Sequence, residues 1–236
     1  MMSIEGLLTE AVGSHRGVAA ADRLCAACVA LLSVDAAAIS LIFDGANAGT
    51  LGASSELARE YDELQFTSGE GPCLESVATR GPVLASDLAG DVGAGRWPAY
   101  GPALLAYDIA GVFAMPVLVA GEYVGALDLY RHDSRALVGE DFAGALVAAE
   151  LAEMPLLDLL AGDLHAAATS PTSPAWAELN KIMRDEVSQA TGMLVAQLEI
   201  EPAEALVRLR AHAFATNQSA TDVAHDIVAR RLRLPR

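Results

Sequence analysis

Three cysteines, a late set of arginines and one glycine have the chemistry most worth placing. Cys73 ends the run Gly69-Glu70-Gly71-Pro72-Cys73, at a predicted helix start with proline in its first turn. A helix N-terminus favours a thiolate, so Cys73 is a candidate for redox sensing, thiol chemistry or contact with a bound ligand; the plainer role is a small buried residue. Cys25 and Cys28 form a C-x-x-C on a predicted helix with no second pair, short of the four ligands of a structural zinc site, and read as core residues. The five histidines (His15, His132, His165, His212, His225) form no H-E-x-x-H or other close cluster, and there is no Walker A loop or G-x-S-x-G. The carboxylates make no readable catalytic pair. These patterns predict neither an enzyme nor a metal or cofactor site.

The arginines leave two readings open, nucleic-acid contact and a solvated helix face. Arg208 and Arg210 lie two apart on one predicted helix and so point in different directions. A guanidinium pairs bidentately with phosphate or stacks on an unpaired base, which suits single-stranded RNA loops; the plainer role is a solvated helix face paired with Glu204. Arg230-Arg231-Leu232-Arg233 either complements a helix C-terminus or attracts RNA. Gly192 stands inside a predicted helix, where it costs ~1 kcal/mol relative to alanine. Either tight helix packing or the close approach of another molecule calls for the missing bulk there, beside the small Ala190.

Charge divides the chain. The net charge is −16, from 15 Lys+Arg and 31 Asp+Glu. Residues 175–236 hold eight basic and eight acidic residues, so the whole deficit lies in the first 174. That asymmetry predicts two domains with different partners. Acidity argues against a broad nucleic-acid coat but permits a local basic site, because screening removes charges beyond ~8–10 Å. At 53% hydrophobic the chain can bury a core, yet no window has 18 uninterrupted apolar residues. The first residues carry no basic and apolar leader pattern, and three cysteines point to reduced thiols. A cytoplasmic protein without a membrane segment is the expectation.

The positioning elements follow from periodicity and turn residues. Residues 16–32 have helical spacing, 37–43 read as a strand ended by Asp44-Gly45, and 54–63 as a helix. After the helix from Pro72, residues 82–85 read as a short strand and 90–101 as a loop. Residues 111–131 read as a β-hairpin around Ala120-Gly121-Glu122, and an alanine-rich helix is predicted from Gly139 to about Leu160. Strands separated by helices, with a hairpin, indicate an α+β domain on an antiparallel sheet. A Pro/Ser-rich linker spans 161–175. One long helix is expected over 176–198, with Trp176, Met183 and Ala190, and Asn180, Val187 and Leu194, at heptad spacing, compatible with a dimeric coiled coil. A second helix starts at Pro202 with Asn217 near its end, and a third, capped by Ser219, covers 220–232.

Two resemblances emerge from these motifs. Gly69-Glu70-Gly71-Pro72-Cys73, Arg80-Gly81-Pro82-Val83 and the hairpin from Phe113-Ala114-Met115-Pro116-Val117 through Gly125-Ala126-Leu127 resemble a GAF domain, a small-molecule or cofactor-sensing module, over residues 16–160. Gln189-Ala190-Thr191-Gly192-Met193-Leu194, Glu204-Ala205, Leu209-Arg210 with Ala213, and Asp222-Val223-Ala224 resemble ANTAR, a three-helix RNA-binding module of bacterial antiterminators, over 176–234. Thr191 stands where that family often has lysine. The pairing resembles actinobacterial regulators and implies a GAF domain over 1–162, a linker over 163–175 and an all-α ANTAR domain over 176–236. It further implies dimeric binding of paired hairpins in nascent RNA, so that a terminator does not form. The RNA contacts so implied are Gln189, Ala190, Thr191, Gly192, Arg208, Arg210, His212 and Asn217. The partners expected are hairpin RNA, an unidentified small-molecule ligand of the first domain, with Cys73 as its candidate contact, and a second copy through helix 176–198. Two alternatives stay open: a thiol-dependent GAF enzyme such as a methionine sulfoxide reductase, which needs a second cysteine beside Cys73, and a DNA-binding regulator, for which the third helix offers Thr221, Asp222 and Asp226 in place of groove-reading arginine or asparagine.

Overall fold

The computed structural model describes residues 2–43, 45–158, 182 and 184–235. Its centre is an antiparallel sheet in the order β2-β1-β5-β4-β3. The strands are β1 over Ala36–Phe43, β2 over Ala46–Ala53, β3 over Val83–Ala85, β4 over Gly111–Val119 and β5 over Glu122–Arg131. The β4–β5 hairpin turns on Ala120 (φ 51°) and Gly121 (φ 90°), the two positive φ values that a type I′ turn needs.

Helices cover both faces of the sheet, so its strands read as apolar runs. On one face lie α1 (Ile4–Val12), α2 (Gly17–Leu31), α7 (Gly139–Leu151) and α8 (Glu153–Asp158). They bury Leu24, Cys25 and Cys28 against Ile39, Phe113, Met115, Leu127 and Leu129. On the other lie α3 (Glu56–Ser68), α4 (Pro72–Thr79), α5 (Leu88–Gly93) and α6 (Tyr100–Leu105). Here Tyr61, Tyr100 and Leu104 meet Ala38, Val112, Ala114 and Tyr130. The alternation along β1 and β5 assigns Ser40 and Asp128 to this second face: Ser40 pairs with Ala126 and Ala38 with Asp128.

Behind this domain, α9 (Asp185–Leu198), α10 (Pro202–Thr216) and α11 (Ala220–Val228) form a three-helix module. Its core is Val187, Ala190, Leu194, Ala205, Leu209, Ala213, Val223, Ala224 and Ile227. Pro202 opens α10, Asn217 closes it in the left-handed conformation, and Ser219 caps α11 by accepting from the Asp222 N–H at 2.9 Å.

Several expectations change. Helix α1 and strand β2 were not predicted. The expected loop at 90–101 holds most of α5 and the start of α6, with Asp87 capping α5 through the Gly90 N–H at 3.2 Å. The expected helix 139–160 is broken into α7 and α8, because Pro155 has no N–H to continue the ladder; residues 159–160 lie outside the described residues. Of the helix expected over 176–198, α9 covers Asp185–Leu198; Ile182 is helical as well, but Arg184 between them sits in the left-handed region (φ 48°, ψ 53°) and interrupts the run. Trp176 and Asn180 of the heptad seam, Met183 and the linker also lie outside the described residues. Val187, Ala190 and Leu194 are buried within the module's own core, so that seam is not free for a partner helix. Helix α11 stops at Val228, short of 232, with Arg230 in the left-handed region (φ 59°).

Candidate functional site

The second face of the sheet contains a buried polar cluster inside an apolar layer. Ser40 comes from β1, Asn47 and Thr50 from β2, Asp62 and Gln65 from α3, and Asp128 from β5, all buried. Cys73, fully buried on α4, borders them. Ser40 Oγ lies 2.5 Å from Asp62 Oδ1 and 2.8 Å from Asp128 Oδ2. One hydroxyl has one proton, so the second bond needs a proton from elsewhere. Asp128 supplies it: burial, then the nearby Asp62 carboxylate, raise its pKa well above the ordinary aspartate range. Protonated Asp128 donates to Ser40 while Ser40 donates to Asp62. Gln65 joins the layers, donating from Nε2 to Asp128 at 3.1 Å and accepting at Oε1 from the Cys73 N–H at 2.9 Å.

That last bond accounts for the Gly-Glu-Gly-Pro-Cys run. Gly71 (φ 144°) lets the chain pass so close to Gln65 that a Cβ there would overlap its side chain. Glu70 Oε1 accepts from the Ala99 N–H at 2.6 Å and the Tyr100 N–H at 3.0 Å, tying α4 to the start of α6. Cys73 departs from the thiolate expectation. Burial raises its pKa well above a thiol's usual value, with Asp128 and Asp62 adding to the shift. The low dielectric outweighs the helix N-terminus, and Cys73 is a neutral thiol receiving the Asn47 Nδ2–H at 3.9 Å. Burial likewise pushes Cys28 up to about 12 and raises Cys25. Those two pack on the opposite face of the sheet, so neither stands beside Cys73 as a resolving thiol.

The ligating atoms of Asp62, Cys73 and Asp128 lie within 4.8 Å of one another. Burial raises the pKa of Cys73 and of Asp128 well above the ordinary range, which disfavours the anionic ligands a metal needs, and the positive charge at Asp62 comes from the protein itself. Arg184, 7% exposed, reaches in from just before α9. Its Nη1 donates to Asn47 Oδ1 at 2.8 Å, its Nη2 to Thr50 Oγ1 at 3.3 Å and Asp62 Oδ2 at 3.2 Å, and its Nε to Glu63 Oε2 at 2.8 Å. Its Cζ stands 4.3 Å from the Phe66 ring centre. Thr50 in turn donates to Asp62. A Cβ on Gly49 would overlap the Ile182 carbonyl, so β2 and the segment leading to Arg184 are in close contact. Three buried polar atoms nearby, Asp128 Oδ1 and the hydroxyls of Tyr100 and Tyr130, have no hydrogen-bond partner among the described residues.

The same surface of α3 holds the helical module. Thr67 Oγ1 accepts the Ala220 N–H at 2.9 Å, and Glu63 Oε1 accepts the Thr221 Oγ–H at 2.9 Å and its N–H at 3.3 Å. These are first-turn amides of α11 that no intrahelical carbonyl can satisfy, and the Glu63 charge complements the helix dipole. Phe66 is buried in the module's core. Arg210 stacks on it from α10, its Cζ 4.8 Å from the ring centre and its Nε buried without a partner among the described residues. Burial, then the neighbouring Arg184, lower its pKa.

The residues proposed for RNA contact are thus divided. Gln189 and Gly192 are exposed on one face of α9. A Cβ added at Gly192 would meet nothing within 4 Å, so packing does not require glycine there. Ala190 is fully buried, and its small size is a demand of the three-helix core, not of an outside molecule. Thr191 Oγ1 bonds back to the Val187 carbonyl at 2.7 Å. Arg208 is paired with Glu204 at 2.9 Å, His212 lies one turn further on and is half-buried, and Asn217 is exposed at the end of α10. Arg210 faces α3. Sequence reasoning missed Arg184, Phe66, Asp62 and their neighbours. The available signal was a polar Ser40 and Asp128 in the middle of the apolar runs of β1 and β5.

Among the described residues, no helix is long and apolar enough to cross a membrane. No curated protein matches the chain. Among solved structures it is similar to the GAF domain of a phosphoenolpyruvate-protein phosphotransferase from Coxiella burnetii, at 20% identity and TM-score 0.50, over 70% of this chain and 94% of that one. It is also similar to the GAF domain of the Acinetobacter phosphoenolpyruvate-protein phosphotransferase, at 11% identity and TM-score 0.49, over 72% and 95%. A type II free methionine-R-sulfoxide reductase from Thermoplasma acidophilum follows at 15% and 0.45, over 66% and 96%. The ANTAR domain model matches residues 183–228, and the GAF domain model matches residues 19–153. With that match spanning more than half of it, the chain belongs to the GAF domain family and carries a helical ANTAR module behind the sensor fold.

Proposed function

We propose that the protein is a cytoplasmic, GAF-controlled RNA-binding antiterminator rather than an enzyme. The helical module grips hairpins in nascent RNA, one module per hairpin in a dimer, and the terminator does not form. The observation that carries this reading beyond the family match is Gly192. It weakens α9 in open space, next to exposed Gln189, with no neighbour whose packing needs it. A flat patch on a helix suits close approach of a nucleic-acid backbone or splayed base. Arg208 and Asn217 add polar contacts. Arg210 joins them once it leaves Phe66. The dimer contact lies elsewhere than Val187, Ala190 and Leu194, which the module uses internally.

The test is a filter-binding titration against a tandem-hairpin RNA, with duplex DNA and a scrambled RNA as controls, at two salt concentrations. Hairpin-specific binding that weakens in Gln189→Ala and Gly192→Leu and falls with salt is expected. Equal affinity for all three nucleic acids, or no effect of either substitution, rejects the assignment of this face.

A further inference from the structure

We propose that the polar pocket is a recognition site for a small guanidinium-type cation, that Arg184 is its tethered occupant, and that a free cation of this class displaces Arg184 and undocks the helical module. This deepens the reading of the first domain as a sensor and is independent of what the module binds.

The argument starts from the acceptors. Asn47 Oδ1, Thr50 Oγ1, Asp62 Oδ2 and Glu63 Oε2 each take an N–H from one guanidinium, and between them they engage all three of its nitrogens. The Phe66 ring adds a face for a delocalised cation. An ammonium offers three donors around one nitrogen and cannot serve acceptors spread over three positions. Asp62 is fully buried, and with Arg184 withdrawn its carboxylate would face the pocket with no cation, an unfavourable state that a free ligand corrects.

Displacement has a built-in consequence. Glu63 holds Arg184 through Oε2 and the α11 N-terminus through Oε1, and Phe66 holds both Arg184 and Arg210. Two guanidinium groups converge on one ring, one of them with an Nε that has no partner among the described residues. Removing Arg184 therefore takes away the plug and its bonds to Glu63 and Phe66 in one step. The module is then held to α3 by Thr67, Glu63 and the Arg210–Phe66 stack without the buried ion pair. A tethered occupant competes at an effective concentration of about millimolar, which sets the ligand level at which the switch turns.

The test uses the full chain and no RNA, so it can fail while the RNA reading stands, and the reverse. Methylguanidinium is titrated by calorimetry at constant ionic strength, with methylammonium as the control. Arg184→Ala, checked for folding by circular dichroism, is expected to bind methylguanidinium roughly tenfold or more tightly than the unmodified protein, because the internal competitor is gone. Adding Asp62→Asn is expected to abolish that binding. In the unmodified protein, millimolar methylguanidinium is expected to speed hydrogen exchange at the Ala220 and Thr221 amides while the β4 and β5 amides stay protected. A folded Arg184→Ala that binds neither cation, or both equally, overturns the proposal. So does unchanged exchange at Ala220 and Thr221 in unmodified protein saturated with methylguanidinium.

Discussion

Replacing Arg184 with alanine should loosen the module from the sensor domain without unfolding either, and the size of the effect can be worked out from the contacts. A surface ion pair is worth about 0–1 kcal/mol, whereas removing one partner of a buried pair costs about 3–5 kcal/mol. Arg184 at 7% and Asp62 at 0% side-chain exposure belong to the buried class. Glu63, at 20%, is partly wet and contributes less. Two factors reduce the total. Asp62 keeps the Ser40, Asn47 and Thr50 donors, and Arg210 is relieved of a like charge on the Phe66 ring. About 3 kcal/mol remains, which is roughly two powers of ten in the docked-to-undocked ratio. Native-state hydrogen exchange reads it at Ala220 and Thr221, first-turn amides whose acceptors among the described residues are Thr67 and Glu63 across the interface. A double-mutant cycle with Asp62→Asn should give a coupling of about 1.5–3 kcal/mol, the range for hydrogen bonds to charged groups. A coupling below about 0.5 kcal/mol, with unchanged exchange at both amides, would mean that the guanidinium adds nothing to docking, which then rests on Phe66, Thr67 and Glu63.

Other outcomes follow from the same geometry. Gly192→Ala, in open space on α9, should raise stability by up to ~1 kcal/mol in urea melts, and a loss of stability would place a hidden contact there. Cys73, neutral and fully buried, should resist iodoacetamide at pH 8 in the native protein and react after unfolding, and rapid labelling of the folded chain would restore it as a functional thiol. Asp128→Asn keeps a donor toward Ser40 but removes the titration. Because the folded-state pKa of Asp128 is raised, the unfolded chain ionises first as pH rises past ~4, so this group's contribution to stability falls with pH up to its folded pKa. The stability of Asp128→Asn relative to the unmodified protein should therefore grow from pH 4 towards neutrality, by at most ~1.4 kcal/mol per pH unit, and a flat difference would show that Asp128 is ionised when folded.

What the sequence made legible depended on where the deciding forces act. The β4–β5 hairpin and the three short helices were readable because their turn and cap residues, Gly121, Pro202, Asn217 and Ser219, are local devices. Strand β2, Ala-Asn-Ala-Gly-Thr-Leu-Gly-Ala, was not. It has almost no β-branched residues, and its small side chains answer to tertiary neighbours: a Cβ at Gly52 would overlap Ala21 of α2. The cap of α5 and the proline break before α8 are local signals that went unread, while the left-handed Arg184 has none. Its conformation is rare for a non-glycine residue and is held by five partners spread over residues 47–66, all far away in sequence.

That asymmetry also explains why neither the pocket nor the surface covering the heptad seam is legible in the sequence. Helical periodicity identifies an apolar stripe but not the surface that covers it, so Val187, Ala190 and Leu194 fit an intermolecular coiled coil and an intramolecular core equally well. Arg184 decides between them. A left-handed residue there ends any helix arriving from upstream, starts α9 afresh at Asp185 and turns a charged side chain into the first domain. A continuous rod that transmits a signal by rotation or splaying is incompatible with that break. A plug that leaves its pocket is compatible with it, because the break frees the arginine to reach Asp62 while α9 packs against its own module. In the proposed switch the docked arrangement thus depends on one residue whose charge, backbone conformation and position all serve it.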